Sequence, residues 1–227
     1  AFLIHGGPQG GWTDDFHYRW NHSLFAAKGY VVVAVNFHGS DGYGQPFTDA
    51  VSRDWGGMPF VDLVRGQQYA VEHFPFIDPD RIVAAGASYG GFMINWMAGH
   101  IDEFKYPFRA LVCHDGIFDA RSMYYTTEEL WFEEWEHGGV PWQSDLFEKW
   151  NPARFVDKFK VPMLVVHSEN DFRVPVSQGF MLFTALQRRG IDSKMLYYPD
   201  EDHFVSKPQN ARLWWNTVFD WFTAHLK

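Results

Sequence analysis

Arg81-Ile82-Val83-Ala84-Ala85-Gly86-Ala87-Ser88-Tyr89-Gly90-Gly91 decides the reading of this chain. Arg81–Ala87 is a short apolar run of strand type, and Tyr89–His100 continues at helical period. Between them, Gly86-Ala87-Ser88-Tyr89-Gly90 matches G-x-S-x-G in the strand–turn–helix context of a nucleophile elbow. Ser88 must occupy a strained turn that lifts its hydroxyl clear of the backbone. Gly86 and Gly90 keep side chains out of the way, and Gly91 lets the helix pack close to the sheet. The helix N-terminus then presents the Tyr89 N–H to a developing oxyanion.

The rest of the chain repeats the same alternation of strand and helix. Strands are predicted at Phe2–His5, Tyr30–Phe37, Arg81–Ala87, Arg109–His114, Pro162–His167 and Lys194–Tyr198. They are nearly continuous apolar runs, as expected when helices cover both faces of a parallel sheet. Helices are predicted at Asn21–Lys28, Phe60–His73, Tyr89–His100, Val176–Arg189 and Asn210–His225, with Gly29 and Gly190 at C-cap positions. The fold class is therefore α/β, an open, mostly parallel sheet with helices on both faces. Two stretches interrupt the alternation, a Gly-rich loop at Phe37–Met58 and an aromatic-rich insertion within 117–150. Both follow strand ends, where ligands bind in such sheets.

A serine nucleophile needs a base, and the base needs an orienting acid, in chain order Ser, Asp/Glu, His for this architecture. Asp171 follows the strand Pro162–His167, and His203 follows Lys194–Tyr198. Glu169 competes with Asp171 for the acid, while Asp200 and Asp202 read as a solvated turn. His5, His38, His114 and His167 also lie near strand ends, where hydrogen-bonded structural histidines are common. The second oxyanion donor is expected from His5-Gly6-Gly7-Pro8, a Gly pair after the first strand facing the elbow. In the insertion, Thr126 or Thr127 reads as a helix cap. Trp131 and Trp135 then share one face, with Ile117 at the base of the segment. They suit either an apolar substrate pocket or plain packing.

Composition narrows the function. The chain has 227 residues, within the range of a single domain with its own core, and a formal charge of −9. An acidic surface repels phosphate backbones and anionic lipid, which argues against nucleic-acid and membrane-surface roles. The longest unbroken apolar run, Tyr30–Val35, is far short of a bilayer span. One cysteine, Cys113, excludes an internal disulfide and leaves the compartment open. No H-E-x-x-H, Cys pair, Walker loop or G-x-G-x-x-G occurs, so neither a metal nor another cofactor is expected.

With these residues assembled, the sequence resembles the prolyl oligopeptidase family of serine peptidases, nearest its dipeptidyl peptidase 5-like and acylaminoacyl-peptidase branch. The resemblance runs through His5-Gly6-Gly7-Pro8, Gly42-Tyr43-Gly44, Asp54-Trp55-Gly56-Gly57, Asp78-Pro79-Asp80-Arg81, Gly86–Gly91, His114-Asp115-Gly116, Asp171–Pro175 and Lys207–Asn210. It implies an α/β-hydrolase fold, Ser88 as nucleophile, His203 as base and Asp171 as orienting acid. It implies oxyanion amides from Tyr89 and the Gly6-Gly7 loop. It also implies that Ile117, Trp131, Phe132 and Trp135 border the pocket for the residue before the cleaved bond. Residues 1–227 read as the catalytic domain, lacking the fold's first strands and the β-propeller that precedes it in the family. The segment Asp202-His203-Phe204 departs from the Asn and Trp usual around that histidine.

Three functions follow. The first is a serine peptidase releasing dipeptides or blocked N-terminal residues, with activity falling below an apparent pKa of about 6 to 7. The second is a carboxylesterase with the same triad, taking a small ester in place of a peptide. The third is a non-catalytic interaction module. The 11 tryptophans would also suit contact between copies in a homo-oligomer.

Overall fold

The computed structural model describes residues 1–16 and 18–227. The chain runs β1 (Phe2–Ile4), α1 (His22–Ala27), β2 (Val33–Ala34), α2 (Gln45–Asp49), α3 (Met58–His73), β3 (Ile82–Ala87), α4 (Tyr89–Gly99) and β4 (Phe108–His114). It continues through α5 (Ala120–Tyr124), α6 (Leu130–Glu136), α7 (Leu146–Lys149), β5 (Met163–Ser168), α8 (Ser177–Arg188), β6 (Ser193–Tyr198) and α9 (Pro208–His225). All strand pairs are parallel, in the order β2-β1-β3-β4-β5-β6.

Alternate strand residues divide the core in two, as the two-residue period of a strand requires. Ile82, Ala84, Leu111, Cys113, Met163 and Val165 join one cluster with Phe60 and Leu63 of α3, Phe92 and Met93 of α4, and Leu182 of α8. Val83, Ala85, Ala110, Val112, Leu164 and Val166 join the other with Phe25 of α1 and Trp214, Val218 and Phe222 of α9. Both faces are covered, which explains the unbroken apolar strands. Helix α4 is buried along its whole length, so its apolar residues occupy every side rather than a stripe.

The order has one direct consequence for function. From β1 the chain steps outward to β2 and then back across to β3 on the other side. The gap between the carboxyl ends of β1 and β3 is thus the point where the winding reverses, and such crevices bind ligands. The Gly6-Gly7 loop leaves β1 there, and Ser88 leaves β3 there.

Three local expectations are corrected. The run Tyr30–Phe37 forms strand only at Val33–Ala34, because β2 is an edge strand paired over two residues of the short β1. The expected loop Phe37–Met58 contains α2, opened by a Pro at its first turn. Helix α6 begins after Glu129, with neither Thr126 nor Thr127 as its cap. The Thr127 hydroxyl instead donates to the Arg173 carbonyl at 2.7 Å and accepts from the Glu129 N–H at 3.1 Å, tying the insertion to the loop after β5.

Phe222 is fully buried between α9 and the sheet. Phe222→Ala is expected to lower unfolding free energy by about 3–5 kcal/mol, read by urea denaturation, since it removes a fully buried ring from the core.

Candidate active site

Ser88 stands at φ 59°, ψ −123°, immediately before α4. A non-glycine residue held there stores about 1–3 kcal/mol of strain and persists only when its surroundings over-determine it. They do so by close approach. A Cβ on Gly86 would lie 2.4 Å from the Gly90 carbonyl oxygen, and one on Gly90 would lie 2.3 Å from the Ile4 oxygen. The start of α4 is therefore wedged against the end of β1. Gly6 closes the other side: a Cβ there would come within 3.2 Å of Ser88 Cβ and 3.9 Å of Ser88 Oγ. Tyr89 occupies the first position of α4, where backbone N–H groups have no helical acceptor.

The histidine and the acid arrive from neighbouring strand ends. His203 Nδ1 lies 2.8 Å from Asp171 Oδ2, and both are buried. An ionised carboxylate only accepts, so Nδ1 carries the proton and Nε2 is left as the basic edge. Asp171 is itself fixed, its Oδ1 accepting the N–H groups of Arg173 at 3.1 Å and Val174 at 2.9 Å. Glu169, the competing acid, accepts instead from the Tyr197 hydroxyl at 2.7 Å in an exposed position. Asp200 pairs with Lys207, and Asp202 accepts from the Phe204 N–H at 2.8 Å, as a solvated turn requires.

A second buried carboxylate stands behind these groups. Asp115 Oδ1 accepts the Ser88 N–H at 2.6 Å, and the same N–H lies 3.1 Å from the His114 carbonyl oxygen. Asp115 Oδ2 lies 3.5 Å from His203 Nδ1 and 3.3 Å from His114 Nε2. Burial works to lower the His203 pKa, but the Asp115 charge and the Asp171 hydrogen bond outweigh it, and the net direction is upward. Burial drives His114 down to about 3, so it stays neutral. Sequence reasoning placed Asp115 in a family motif without a role; its only other signal is its position one residue past the strand beside the elbow. Asp115, Asp171 and His203 also present ligand atoms within 4.8 Å of one another, the one such trio among the described residues, but the Nδ1–carboxylate hydrogen bond already uses two of those atoms.

The other strand-end histidines are held in structural contacts. His5 stacks on Phe37 with ring centroids 4.1 Å apart. Its ring nitrogens reach Ser40 Oγ at 2.8 Å and the Gly6 carbonyl at 2.7 Å, steadying the glycine loop. His38 pairs with Asp62, and His167 Nε2 donates to the Val174 carbonyl at 2.7 Å.

Ser88, Tyr89, Gly6, Gly7 and His203 line one cavity of about 470 Å³. Its walls include Ile117, Trp131 and Phe132 from the insertion; Trp135 is not among the lining residues and is 68% exposed. The cause lies in the face that α6 buries. Glu133 and Glu136 turn inward, and Glu136 accepts from Trp55 Nε1 at 2.8 Å and Gln9 Nε2 at 2.7 Å. These donors hold Glu136 inward, and both indoles stay largely exposed. Glu133 also borders the cavity, but its carboxylate is buried and its Oε2 lies 3.2 Å from His137 Nδ1.

The sequence profile of the prolyl oligopeptidase family matches residues 16–227. Dipeptidyl-peptidase 5 of Schizosaccharomyces pombe is 46% identical over 228 residues, covering 100% of this chain and 33% of that protein. Dipeptidyl-peptidase 5 of Aspergillus oryzae is 47% identical over 227 residues, covering 99% of this chain and 31% of that protein. The chain thus spans about a third of the length of the curated relatives it matches. Among solved structures, Pyrococcus horikoshii acylaminoacyl peptidase superposes with a TM-score of 0.92 at 29% identity, over 100% of this chain and 37% of that one. A puromycin-hydrolyzing peptidase of Mycobacterium tuberculosis gives 0.89 at 26% identity, over 99% and 34%.

The strain at Ser88 is measurable. Ser88→Gly is expected to stabilise the fold by about 1 kcal/mol, because relief of the left-handed backbone exceeds glycine's added unfolded-state entropy. A melting temperature equal to or below that of the parent chain would contradict this.

Proposed function

The chain belongs to the prolyl oligopeptidase family, and on that footing we propose that it is a serine peptidase that hydrolyses short peptides through an acyl-enzyme, with Ser88, His203 and Asp171 as its triad. The observation that carries this reading is the meeting, in one cavity, of a strained serine and a hydrogen-bonded His–Asp pair. Ser88 Oγ attacks the scissile carbonyl while His203 Nε2 takes its proton. Collapse of the tetrahedral adduct returns that proton to the leaving amine, and water repeats the sequence on the acyl-enzyme. Asp171 holds the imidazole in the Nδ1–H tautomer and stabilises the imidazolium that forms. The N–H groups of Tyr89 and the Gly6-Gly7 loop receive the oxyanion.

Residues 1–227 act as the catalytic unit in this reading, with the insertion 117–150 as its specificity wall. Ile117, Trp131 and Phe132 take the side chain of the residue before the cleaved bond. The dipeptidyl-peptidase names of the curated relatives support a cationic, unblocked amino end over a neutral acyl group. We therefore place release of dipeptides ahead of release of acyl-amino acids.

The test is a three-substrate assay near neutral pH with Ser88→Ala as control. An unblocked dipeptidyl anilide is expected to turn over fastest, an acyl-blocked aminoacyl anilide more slowly. Ser88→Ala should lose at least about 10³-fold in kcat. Cleavage of a short-chain aryl ester alone would replace the peptidase by an esterase, and no Ser88-dependent turnover of any substrate would end the enzymatic reading.

The pH profile gives a second check. Neutral His203 is the active form, and its pKa is shifted upward. Activity is therefore fully present above that pKa and lost as pH falls through it, with the acid limb of kcat/KM above that of an unperturbed imidazole. A limb below pH 6 would contradict the assignment of His203 as base.

A further inference from the structure

We propose that Asp115 is a positioning residue of this centre: one of its oxygens holds the Ser88 backbone while the other faces the Nδ1 edge of His203, so a single buried carboxylate ties the elbow to the base. The proposal rests on the reading of Ser88 and His203 as nucleophile and base.

The two oxygens of Asp115 have different surroundings. Oδ1 accepts a short hydrogen bond from the Ser88 N–H at 2.6 Å. A neutral amide oxygen would serve there equally well. Oδ2 has no hydrogen-bond partner, is fully buried, and lies 3.5 Å from His203 Nδ1. Asp115 also holds a left-handed φ of 41°, directly after β4. A buried charge on a strained backbone needs a compensating interaction. The charged and titratable groups that face it are His114, His203, Arg19 and His167. His114 is neutral, and Arg19 is drawn on by Asp171 and Asp202 as well. The partner whose charge changes during the reaction is His203.

His203 Nδ1 consequently meets carboxylate oxygens from two strand ends, Asp171 Oδ2 at 2.8 Å after β5 and Asp115 Oδ2 at 3.5 Å after β4. The nearer one accepts the hydrogen bond and selects the tautomer. The farther one adds a second negative charge to the side of the ring that becomes positive. It is rigidly indexed to the nucleophile, because its other oxygen grips the nucleophile's own amide.

The experiment is a histidine titration by carbon-13 NMR of the full chain, with His203 assigned by the resonance lost in His203→Asn. It requires no substrate, so it judges Asp115 separately from the peptidase reading, which the Ser88→Ala assay judges. Asp115→Asn retains an acceptor for the Ser88 N–H and removes the charge. The His203 midpoint is expected to fall by about one pH unit, at the low end of the effect of an opposite charge at this separation. In the anilide assay, kcat should fall about tenfold with KM unchanged, and the acid limb should move with the midpoint. An unmoved midpoint overturns the proposal. Should Asp115→Asn fail to fold, Asp171→Asn decides it. With Asp115 as the remaining anion, His203 should still titrate near an ordinary imidazole. A fall to the depressed range of a buried, unpaired histidine would overturn the proposal.

Discussion

The backbone of Ser88 can stay in its left-handed turn only because three chain segments press on it. The end of β1 meets Gly90, the Gly6 loop meets Ser88 itself, and Gly91 lies against Gly116, where a Cβ would come within 2.6 Å of the Gly116 Cα. The first and last of these contacts are backbone against backbone and the second is backbone against the Ser88 side chain, and each depends on the parallel register of β1, β3 and β4. A slip of one residue would exchange the two core faces and withdraw the clamps together. The apolar layers beneath the sheet therefore do more than stabilise it. They hold three strand ends level to within the tolerance that a strained turn requires.

The same levelling explains how distant residues assemble. Ser88, Asp115, Asp171 and His203 follow β3, β4, β5 and β6, which are consecutive neighbours in the sheet. Neighbouring parallel strands lie about 5 Å apart, so residues just past their carboxyl ends come within side-chain reach without any local sequence signal. A chain wound this way places acids beside a base by topology. Which acid reaches the imidazole is then set by local bonding. Asp171 is locked by the Arg173 and Val174 amides with one oxygen toward His203, whereas Glu169 is drawn outward by Tyr197.

Much of this was legible in the sequence because it depended on local pattern. The unbroken apolar strands, the glycines about Ser88 and the order Ser, Asp, His all carry a short-range signature. What was not legible depended on partners far away in the chain. Trp131 and Trp135 share a helix face by spacing, but which face α6 buries is decided by Trp55 and Gln9, more than 70 residues earlier, whose donors draw Glu136 inward. The Thr127 hydroxyl looked like a cap and is engaged instead by the loop after β5. Tyr30–Phe37 has strand composition along its length, yet an edge strand extends only as far as its single neighbour pairs with it. Asp115 carries only its motif and its place one residue past β4, and nothing in His114-Asp115-Gly116 indicates that its side chain reaches back to an amide 27 residues earlier.

Charge placement around the imidazole follows from burial. Desolvation by itself would depress the pKa of His203. One carboxylate in hydrogen-bond contact supplies orientation as well as charge, but orientation needs only one acceptor. The second carboxylate is set back by 0.7 Å relative to the first and contributes by Coulomb attraction, which falls slowly with distance in a poorly solvated site. Arg19 opposes both, since its guanidinium interacts with Asp115 and Asp171 and lowers the His203 pKa. The net upward shift is thus the remainder of opposed contributions. The imidazole thus answers to the charges at the β4 and β5 ends, which stand against it, more than to the −9 carried by the chain as a whole, which is largely solvated and screened.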